Sequence, residues 1–426
     1  MKNIILLAYA ISPYRGSEYA VAWNHILNIA KDNKLTVIYG TSGDHIGDFV
    51  DMDKYLSQNK VENVTFVQIK PSKYTTALNW LNENNIFNYS FYLAYKRWQF
   101  QVYKEVQKLI RLNQYDLIHF LCPIGYREPG YLWKLNVPYI WGPICGVNNI
   151  PWKLFKIMSL KGGGKYFIRN IINSLQFKYN HRFKESLKRV NLLLTATTET
   201  QNRIKTFYKK ESFYIPENAI LENPQINTAK FNFDNIDDGK YQLIFVGRLD
   251  DGKGTILCLK ALKQIKNKRR IHLNVIGDGP LKSYLEEYVK KNDLHDIVTF
   301  YGKLPRAEVL NKYNEAHLHI ITSLSEANTT VIWEAMAHGV PTLALDHCGM
   351  HDVICSKCGI KIGVTNSEQI VADISKEIDA LIEHPERFES LAKGTIECAN
   401  KYTWEKRRKQ MNAYYNLAIE NSKQTE

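Results

Sequence analysis

The sequence predicts an α/β protein built from two doubly wound domains with parallel sheets. A chain of 426 residues is long enough for two domains that each bury a core. Short apolar runs, glycine-containing turns and helical patterns follow one another repeatedly. A polar stretch near residues 216–240 interrupts this rhythm. The predicted domains are residues 1–222 and 223–401, followed by a C-terminal helix at 402–426.

The first half of the chain is expected to begin with a buried strand. Met1–Ala10 is an apolar run that continues directly into a polar turn and a helix-period pattern, which favours a strand over a signal peptide. Gly16 lies in that turn. A further strand is predicted at Tyr115–Leu121, with His119 near its carboxyl end. A single histidine in a strand is often only a packed core residue.

Residues 241–345 show the alternation of strand, turn and helix most clearly. The predicted strands are Tyr241–Val246, Ile271–Ile276, Ile297–Tyr301, His317–Thr322 and Pro341–Leu345. This alternation is typical of a parallel sheet, and such sheets bind ligands beyond the carboxyl ends of their strands. One crevice is therefore expected to collect Arg248, Lys253, Gly277, Gly302 and Glu326.

Two carboxylates, Glu326 and Glu334, lie eight positions apart. On a helix that opens near Asn328 or Thr329, this spacing is a rise of about 12 Å, too far for both to attack one bond from opposite sides. The spacing suits an elongated ligand with an anionic group at the free amides of the first turn. A sugar nucleotide has this form. The alternative is an ordinary capped helix with two solvated glutamates.

Four motifs occur in order in the second half: Gly247-Arg248-Leu249, Lys253-Gly254, Gly277-Asp278-Gly279-Pro280, and the Glu326 to Glu334 spacing followed by Ala335-Met336-Ala337-His338-Gly339-Val340-Pro341. Together they resemble bacterial members of glycosyltransferase family 4, which are retaining enzymes with two Rossmann-like domains facing a cleft (the GT-B fold). Where many members have a glycine-rich stretch after the first glutamate, this chain has Ala327-Asn328-Thr329-Thr330. The identity of the donor sugar therefore does not carry over.

The resemblance implies roles for individual residues. Arg248 and Lys253 would bind the donor diphosphate, Glu326 the sugar hydroxyls and Glu334 the ribose. His119 would face the donor sugar, so Glu326 and His119 are the expected catalytic residues. Arg248 and Lys253 also have an alternative interpretation as surface charges, and Gly16 as a simple turn residue. The remaining expected donor-binding residues are Gly16, Gly277, Gly302, Lys303, Leu304, Asn328, Thr329 and Thr330.

The implied reaction moves a hexosyl unit from a nucleotide diphosphate sugar to a hydroxyl of a glycan or lipid-linked acceptor, with retention, in cell-surface polysaccharide synthesis. No Asp-x-Asp pair that would hold a divalent ion on the diphosphate accompanies the motifs. Arg248, Lys253 and the helix start are therefore expected to meet the leaving-group charge, without a metal or a cofactor besides the donor.

The sequence motifs also bear on other functions of α/β proteins. No strand runs into Gly-x-Gly-x-x-Gly with an acidic residue about 20 positions on, which argues against a nicotinamide-dependent oxidoreductase. A non-hydrolysing sugar-nucleotide epimerase and a noncatalytic protein that binds nucleotide sugars or a membrane surface remain as alternatives.

Basic residues are concentrated in the first half of a chain whose net charge is +13. Ten Lys and Arg but only one acid lie between Lys153 and Arg189, interleaved with aromatic and aliphatic side chains. We expect residues 152–189 to rest the first domain on an anionic membrane surface, with a solvated helix face as the alternative. Nucleic acid is not expected, because no groove-reading motif accompanies the charge.

The seven cysteines indicate no disulfide framework and a reducing compartment. No apolar stretch approaches 20 residues, so the expected location is the cytoplasm, peripherally on the inner face of the bacterial membrane.

One cysteine-rich segment looks at first like a metal site, because it contains His347, Cys348, His351, Cys355 and Cys358. These five lie within twelve consecutive residues, whereas a closed zinc site usually draws on two well-separated ligand pairs. The segment is expected to line the crevice behind the Glu334 helix and to bind no metal.

Overall fold

The computed structural model describes residues 1–16, 18–41, 43, 47, 49–84, 86–87, 90–220, 230 and 239–424. It contains two compact units. Unit 1 consists of Met1–Val147, Leu175–Glu217 and Trp404–Glu426, and unit 2 of Asn148–Ser174 and Asn218–Thr403.

Unit 1 contains a parallel sheet of seven strands. Its strands are β1 Asn3–Ala8, β2 Lys34–Gly40, β3 Val64–Ile69, β4 Leu117–Cys122, β5 Tyr139–Ile144, β6 Leu192–Thr195 and β7 Phe213–Tyr214. Its first helices are α1 Glu18–Ile29, α2 Val50–Leu56, α3 Lys73–Glu83 and α4 Ser90–Leu112; α5 Leu160–Tyr179 crosses the division between the units, and α6 His181–Arg189 and α7 Thr198–Tyr208 follow. The order β3-β2-β1-β4-β5-β6-β7 reverses direction after β1, so the sheet is doubly wound.

Unit 2 contains a second parallel sheet, with six strands. The strands are β8 Tyr241–Val246, β9 Ile271–Ile276, β10 Val298–Gly302, β11 Leu318–Ile321, β12 Thr342–Leu345 and β13 Gly359–Ile362. The helices are α8 Thr255–Gln264, α9 Lys282–Lys291, α10 Arg306–Glu315, α11 Thr330–Ala337, α12 Cys348–Val353, α13 Ser367–Glu383 and α14 Glu386–Ala399. The order β10-β9-β8-β11-β12-β13 reverses after β8, as in nucleotide-binding Rossmann folds.

The prediction of two doubly wound parallel-sheet domains is confirmed. The predicted strands Tyr241–Val246 and Ile271–Ile276 agree with β8 and β9 residue for residue. The three other predicted strands of unit 2 differ from β10, β11 and β12 by one residue at one or both ends, and no bounds were predicted for β13. Continuous apolar runs between turn residues identify such strands because both faces of the sheet are covered.

A C-terminal helix, α15 Trp404–Lys423, follows unit 2 in sequence but belongs to unit 1. Its residues Met411, Tyr415 and Ala418 are buried in the same apolar cluster as side chains of β1 and α1. Within the described part of the chain, no helix is both long enough and apolar enough to span a membrane.

The segment Asn148–Ser174 belongs to unit 2, which corrects the sequence-based boundary that assigned it to the first domain. Ile150 and Leu154 are buried in the core of unit 2. The side chain of Asn170 accepts from the backbone N–H of Ile150 at 3.1 Å and donates to its carbonyl at 2.8 Å. The helical periodicity of this segment could not reveal which core it joins.

Three buried side chains are connected in the core of unit 1. His119 Nε2 lies 2.8 Å from the carbonyl oxygen of Gly142, so Nε2 must carry the hydrogen. His119 Nδ1 then accepts from the Tyr415 hydroxyl at 3.0 Å, and His25 Nε2 lies 3.4 Å from the same hydroxyl. Burial lowers the pKa of His119 to about 4 and lowers that of His25 well below its ordinary value.

The free energy of unfolding should therefore fall on acidification. Below pH ~6.5 the unfolded chain protonates these histidines, whereas folded His119 stays neutral down to about pH 4. The unfolded state binds more protons throughout this window, so stability present above pH ~6.5 is lost as pH falls. His119 alone should contribute about 3 kcal/mol.

Urea unfolding followed between about pH 7.5 and 4.5 measures this loss. His119→Gln should lower stability at neutral pH and flatten the pH dependence, while His295→Gln, at an exposed histidine, should leave the dependence unchanged. Equal pH dependence in wild type and His119→Gln would contradict the assignment.

Candidate functional site

The carboxyl ends of β8 and β11 adjoin where the strand order of unit 2 reverses. Doubly wound sheets bind ligands at such a point. Residues 247–254, which we call the β8 loop, leave β8 there, and residues 322–329, the β11 loop, leave β11. The two loops bring together the predicted residues Arg248, Lys253 and Glu326.

Backbone contacts hold the two loops together. The Leu324 N–H donates to the Gly252 carbonyl at 2.8 Å, and the Thr322 hydroxyl donates to the Lys253 carbonyl at 3.1 Å. Gly254 has a φ of +60°, and a Cβ atom at this position would overlap the Thr322 carbonyl. The approach therefore requires glycine, and it fixes the base of the Lys253 side chain relative to the β11 loop.

Lys253 and Glu326 form an ion pair between these loops. Their side chains are only 24% and 21% exposed. The backbone N–H of Lys253 donates to the Asp250 carboxylate at 3.3 Å, which caps the short 3₁₀ turn Asp251–Lys253. Lys253 and Glu326 thus place a cation and an anion at the switch point. Lys253 can turn to an anionic group of a ligand, and Glu326 to a cationic group or a hydroxyl.

Arg248 occupies a more open position. Its side chain is 70% exposed and its Nε lies 3.5 Å from an oxygen of Asp250. An arginine at this exposure retains freedom to swing onto an anionic ligand, because a surface ion pair is worth about 0–1 kcal/mol.

Gly277 and Gly302 form the next two turns along the same edge. Gly277 has a φ of +138°, and a Cβ atom there would overlap the Gly247 carbonyl. The Gly277 N–H donates to the carbonyl of Gly302, whose φ is +68°, at 2.8 Å. These glycines let three successive turns pack backbone to backbone. Of the two predicted residues after Gly302, Lys303 is exposed and Leu304 is partly buried.

Glu334 lies in the middle of α11 with 16% of its side chain exposed. Burial raises the pKa of its carboxyl group, opposed by the charges of Arg306 and His338. Arg306, at the start of α10, lies 3.2 Å from Glu334 Oε1 and was not predicted as a site residue. Arg306 could have been predicted from the sequence, because it comes directly after the turn from Gly302 to Pro305, which was expected to border the site.

The predicted residues Asn328, Thr329 and Thr330 lie at the start of α11. Thr329 is the N-cap residue, although no capping hydrogen bond of its side chain is found among the described residues. Asn328 is buried and Thr330 is the first helical residue. In the sequence, the start of this helix therefore lies between Glu326 and Glu334, which are ion-paired with Lys253 and Arg306.

Gly349 allows α12 to approach the β11 loop closely. Its N–H donates to the Glu326 carbonyl at 3.2 Å, and a Cβ atom at this position would overlap the Ala327 carbonyl. The residue departing from the family pattern, Ala327, is thus accommodated by a glycine on α12.

Helix α5 also reaches the β8 loop. The Ser159 N–H and hydroxyl donate to the two carboxylate oxygens of Asp251 at 2.6 and 2.9 Å. A Cβ atom on Gly252 would overlap the Tyr166 hydroxyl. Burial raises the pKa of Tyr166, and the carboxylates of Asp250, Asp251 and Glu326 add to the rise. This contact was not predicted, because the residues of α5 were assigned to the first domain.

In unit 1, the structure does not support the expected catalytic role of His119. Both its ring nitrogens are hydrogen-bonded inside the core and its side chain is fully buried, so it is a structural residue. Gly16 lies in the loop between β1 and α1. Two residues later Glu18 is partly exposed as a residue, but burial of its carboxyl group raises the pKa of that group.

Comparisons with known proteins agree with this geometry. Residues 227–396 match the family model described as Glycosyl transferases group 1. The Uncharacterized glycosyltransferase MJ1178 of Methanocaldococcus jannaschii is 23% identical over 306 residues, covering 71% of this chain and 76% of that protein. The Amylovoran biosynthesis glycosyltransferase AmsK of Erwinia amylovora is 28% identical over 139 residues, covering 30% and 34%.

Solved structures resemble the chain over almost its full length. The lipopolysaccharide outer core galactosyltransferase WaaB in its apo form has a TM-score of 0.65 at 14% identity, covering 96% of this chain and 98% of that one. Anabaena Alr3699/HepE in complex with UDP and glucose has a TM-score of 0.58 at 16% identity, covering 98% and 100%. The fold is therefore GT-B, as expected. The match to the Glycosyl transferases group 1 model lies within its second unit.

Gly277→Ala should destabilise unit 2 by at least about 2 kcal/mol, because the side chain meets the Gly247 carbonyl and the positive φ is strained. Gly363→Ala is the matched control, since a Cβ atom there meets open space, and it should change stability by less than about 0.5 kcal/mol. Urea unfolding of both variants measures the difference. Similar stability of the two would show that the turns are not packed as described.

Proposed function

We propose that this protein is a retaining, metal-independent glycosyltransferase. It moves a hexosyl unit from a nucleotide diphosphate sugar to a hydroxyl of a glycan or lipid-linked acceptor in cell-surface polysaccharide synthesis. The proposal rests on two ion pairs around the start of α11, at the switch point of the sheet. These are Lys253–Glu326 and Arg306–Glu334.

The donor spans this arrangement. Its diphosphate lies at the N-terminus of α11, where backbone amides and the helix dipole favour an anion. Lys253 turns from Glu326 to the phosphate, and exposed Arg248 joins it. Because phosphate contacts of this kind are charge-assisted, they outweigh the loss of a partly exposed ion pair.

The two ends of the donor meet the two glutamates. Glu326, released by Lys253, accepts hydrogen bonds from the sugar hydroxyls. Glu334 accepts from the ribose hydroxyls, and Arg306 keeps its carboxyl group ionised despite burial. Backbone from Gly302 to Leu304 borders the base.

The reaction breaks the bond between the anomeric carbon and the diphosphate oxygen and forms a bond to the acceptor oxygen on the same face. The departing phosphate oxygen takes the acceptor proton. Lys253, Arg248 and the start of α11 stabilise the charge that grows on the leaving group. Glu326 positions the sugar and stabilises positive charge on its ring.

The relatives support this assignment without fixing its details. HepE was crystallised with UDP and glucose, which supports a nucleotide sugar as donor. AmsK is named for amylovoran biosynthesis and WaaB for the lipopolysaccharide outer core, which supports a cell-surface glycan as product.

Nucleotide release from a panel of nucleotide sugars, with and without bacterial membrane extract as acceptor source, tests the function. A transferase releases nucleotide diphosphate in step with labelled sugar entering the extract. A non-hydrolysing epimerase, the alternative, would release it without any acceptor, and a binding protein would release none.

Variants of the two glutamates should separate the two ends of the donor. Glu326→Gln should lower turnover at least tenfold with little change in UDP affinity, because its contact is with the sugar. Glu334→Gln should weaken UDP binding by about 1.5 to 3 kcal/mol, the range for hydrogen bonds to a charged group. Calorimetric titration with UDP and turnover of the identified donor measure both effects.

Glu308→Gln, at an exposed glutamate of α10, is the control and should change neither value. Equal and negligible effects of Glu326→Gln and Glu334→Gln would contradict the assignment of both residues.

We also propose that the protein works in the cytoplasm, on an anionic membrane surface. The outer side of α5 exposes apolar and basic side chains together, and we call this set the α5 face. Leu160 is 99% exposed and Phe167 and Ile168 about half exposed. The α5 face consists of Leu160, Lys161, Lys165, Phe167, Ile168 and Ile171.

Two other basic residues of segment 152–189 are held by acidic partners. Arg182 forms a bridge to Glu128 at 2.6 Å and covers the ring of Tyr131. Lys188 pairs with Glu185 at 2.7 Å. The surface is therefore narrower than the charge run suggested, and it is centred on unit 2 and not on the first domain. Apolar side chains flanked by lysines suit the interface of an anionic bilayer.

Reversing Lys161 and Lys165 to Glu should weaken binding to phosphatidylglycerol vesicles at least about 30-fold, since each basic residue near such a surface is worth about 1 kcal/mol. Lys263→Glu with Lys290→Glu, at exposed lysines of α8 and α9, is the matched control and should bind like wild type. Vesicle sedimentation at low and high salt measures both. If wild type does not bind anionic vesicles at low salt, the α5 face is a solvated surface.

A further inference from the structure

Three cysteine thiols converge in unit 2, and none of them belongs to the proposed donor site. Cys355 Sγ lies 3.1 Å from Cys398 Sγ and 3.6 Å from Cys358 Sγ. All three sulfur atoms lie within 4.8 Å of one another. Cys358 and Cys398 are buried, whereas Cys355 is partly exposed. The cluster therefore has a buried side and a side open to solvent.

The fold holds this cluster in place from two elements. Cys355 and Cys358 flank the turn before β13, and the Cys355 N–H donates to the Cys358 sulfur at 3.2 Å. Cys398 lies in the last turn of α14. A Cβ atom on Gly394 of α14 would overlap the Lys357 carbonyl, and the Thr395 hydroxyl donates to the Cys358 carbonyl at 3.2 Å. Helix and turn are thus in backbone contact one helical turn before Cys398.

We propose that Cys355, Cys358 and Cys398 bind a zinc ion, with the fourth position open to solvent beside Cys355. Zinc thiolate sites use Zn–S bonds of about 2.3 Å in a tetrahedron, which places the sulfur atoms about 3.8 Å apart. The thiols are already close to that spacing, so the ion needs little rearrangement. Cys-x-x-Cys provides one ligand pair and a residue from a distant element the third.

Of the five residues that first suggested a metal, only Cys355 and Cys358 belong to this site. His347 Nε2 lies 2.9 Å from the Ser323 carbonyl, and His351 Nδ1 lies 2.7 Å from Asp346. Cys348 lies at the start of α12, beside Asn148. The third ligand is instead Cys398, forty positions after Cys358. The ion would connect α14 to β13, and through α14 to α11, against which α14 packs.

Metal analysis of the full-length protein purified under reducing conditions tests the site. The expected result is one Zn²⁺ per chain, and after removal of zinc, Co²⁺ should give the intense near-ultraviolet absorption of thiolate-to-cobalt charge transfer. Cys355→Ser and Cys398→Ser should each lower Zn²⁺ affinity about 100-fold. Zn²⁺ should also raise the thermal midpoint of wild type and not of these variants.

Cys258→Ala is the matched control, because Cys258 is buried in unit 2 but belongs to α8; it should keep the zinc and the cobalt spectrum. Wild-type protein that is folded by circular dichroism, yet takes up neither Zn²⁺ nor Co²⁺ under reducing conditions, would overturn the proposal. So would a Cys355–Cys398 disulfide found by alkylation and mass spectrometry in protein prepared without oxygen. None of these measurements requires transferase activity, so they stand apart from the proposed function.

Discussion

Backbone-to-backbone contact along the carboxyl edge of the unit 2 sheet is the constraint on which the proposed donor site depends. Side chains at these points would separate the loops by the width of a Cβ atom, and the charged residues would no longer converge. The loops are therefore positioned before any ligand arrives, which reduces the conformational entropy lost on binding. The contacts are those of Gly254 with Thr322, Gly277 with Gly247, Gly279 with Leu249, and Gly349 with Ala327.

The charges at this edge balance one another in pairs. Lys253 faces Glu326 and Arg306 faces Glu334, and each pair combines a partly buried carboxylate with a cation from another loop or helix. Without Arg306, the buried carboxyl group of Glu334, whose pKa burial raises, would tend towards its neutral form. A donor that supplies phosphate to Lys253 and hydroxyls to Glu326 replaces both halves of one pair, so neither charge is left unsatisfied. Lys253 and Glu326 thus satisfy each other's charge, and each can exchange this partner for a group of the ligand.

The sequence predicted local features better than long-range ones. Strands such as β8 are apolar runs between glycine turns, and the N-cap position of α11 follows from Thr329, because both depend on neighbouring residues. The roles of Cys398 and Arg306 were not predicted, because their partners are distant in sequence. Segment 148–174 was misassigned because its buried side, with Leu154 and Tyr166, has no pattern that names the core it joins. A catalytic role was predicted for His119 because its hydrogen-bond partner Tyr415, 296 positions away, could not be read from the local sequence.

Helix α5 shows why that misassignment matters for function. Its inner side touches the β8 loop through Gly162 and Tyr166, and Ser159 directly before it binds the same loop, while its outer side is the α5 face. Phe167 on the outer side is adjacent in sequence to Tyr166 on the inner side. Since a helix is about 10 Å across with its side chains, a bilayer against the α5 face would lie within about one helix diameter of the loop that carries Lys253. A lipid-linked acceptor would then need to extend only a short distance beyond the headgroups to reach the donor site, whereas a soluble acceptor would gain nothing from this arrangement.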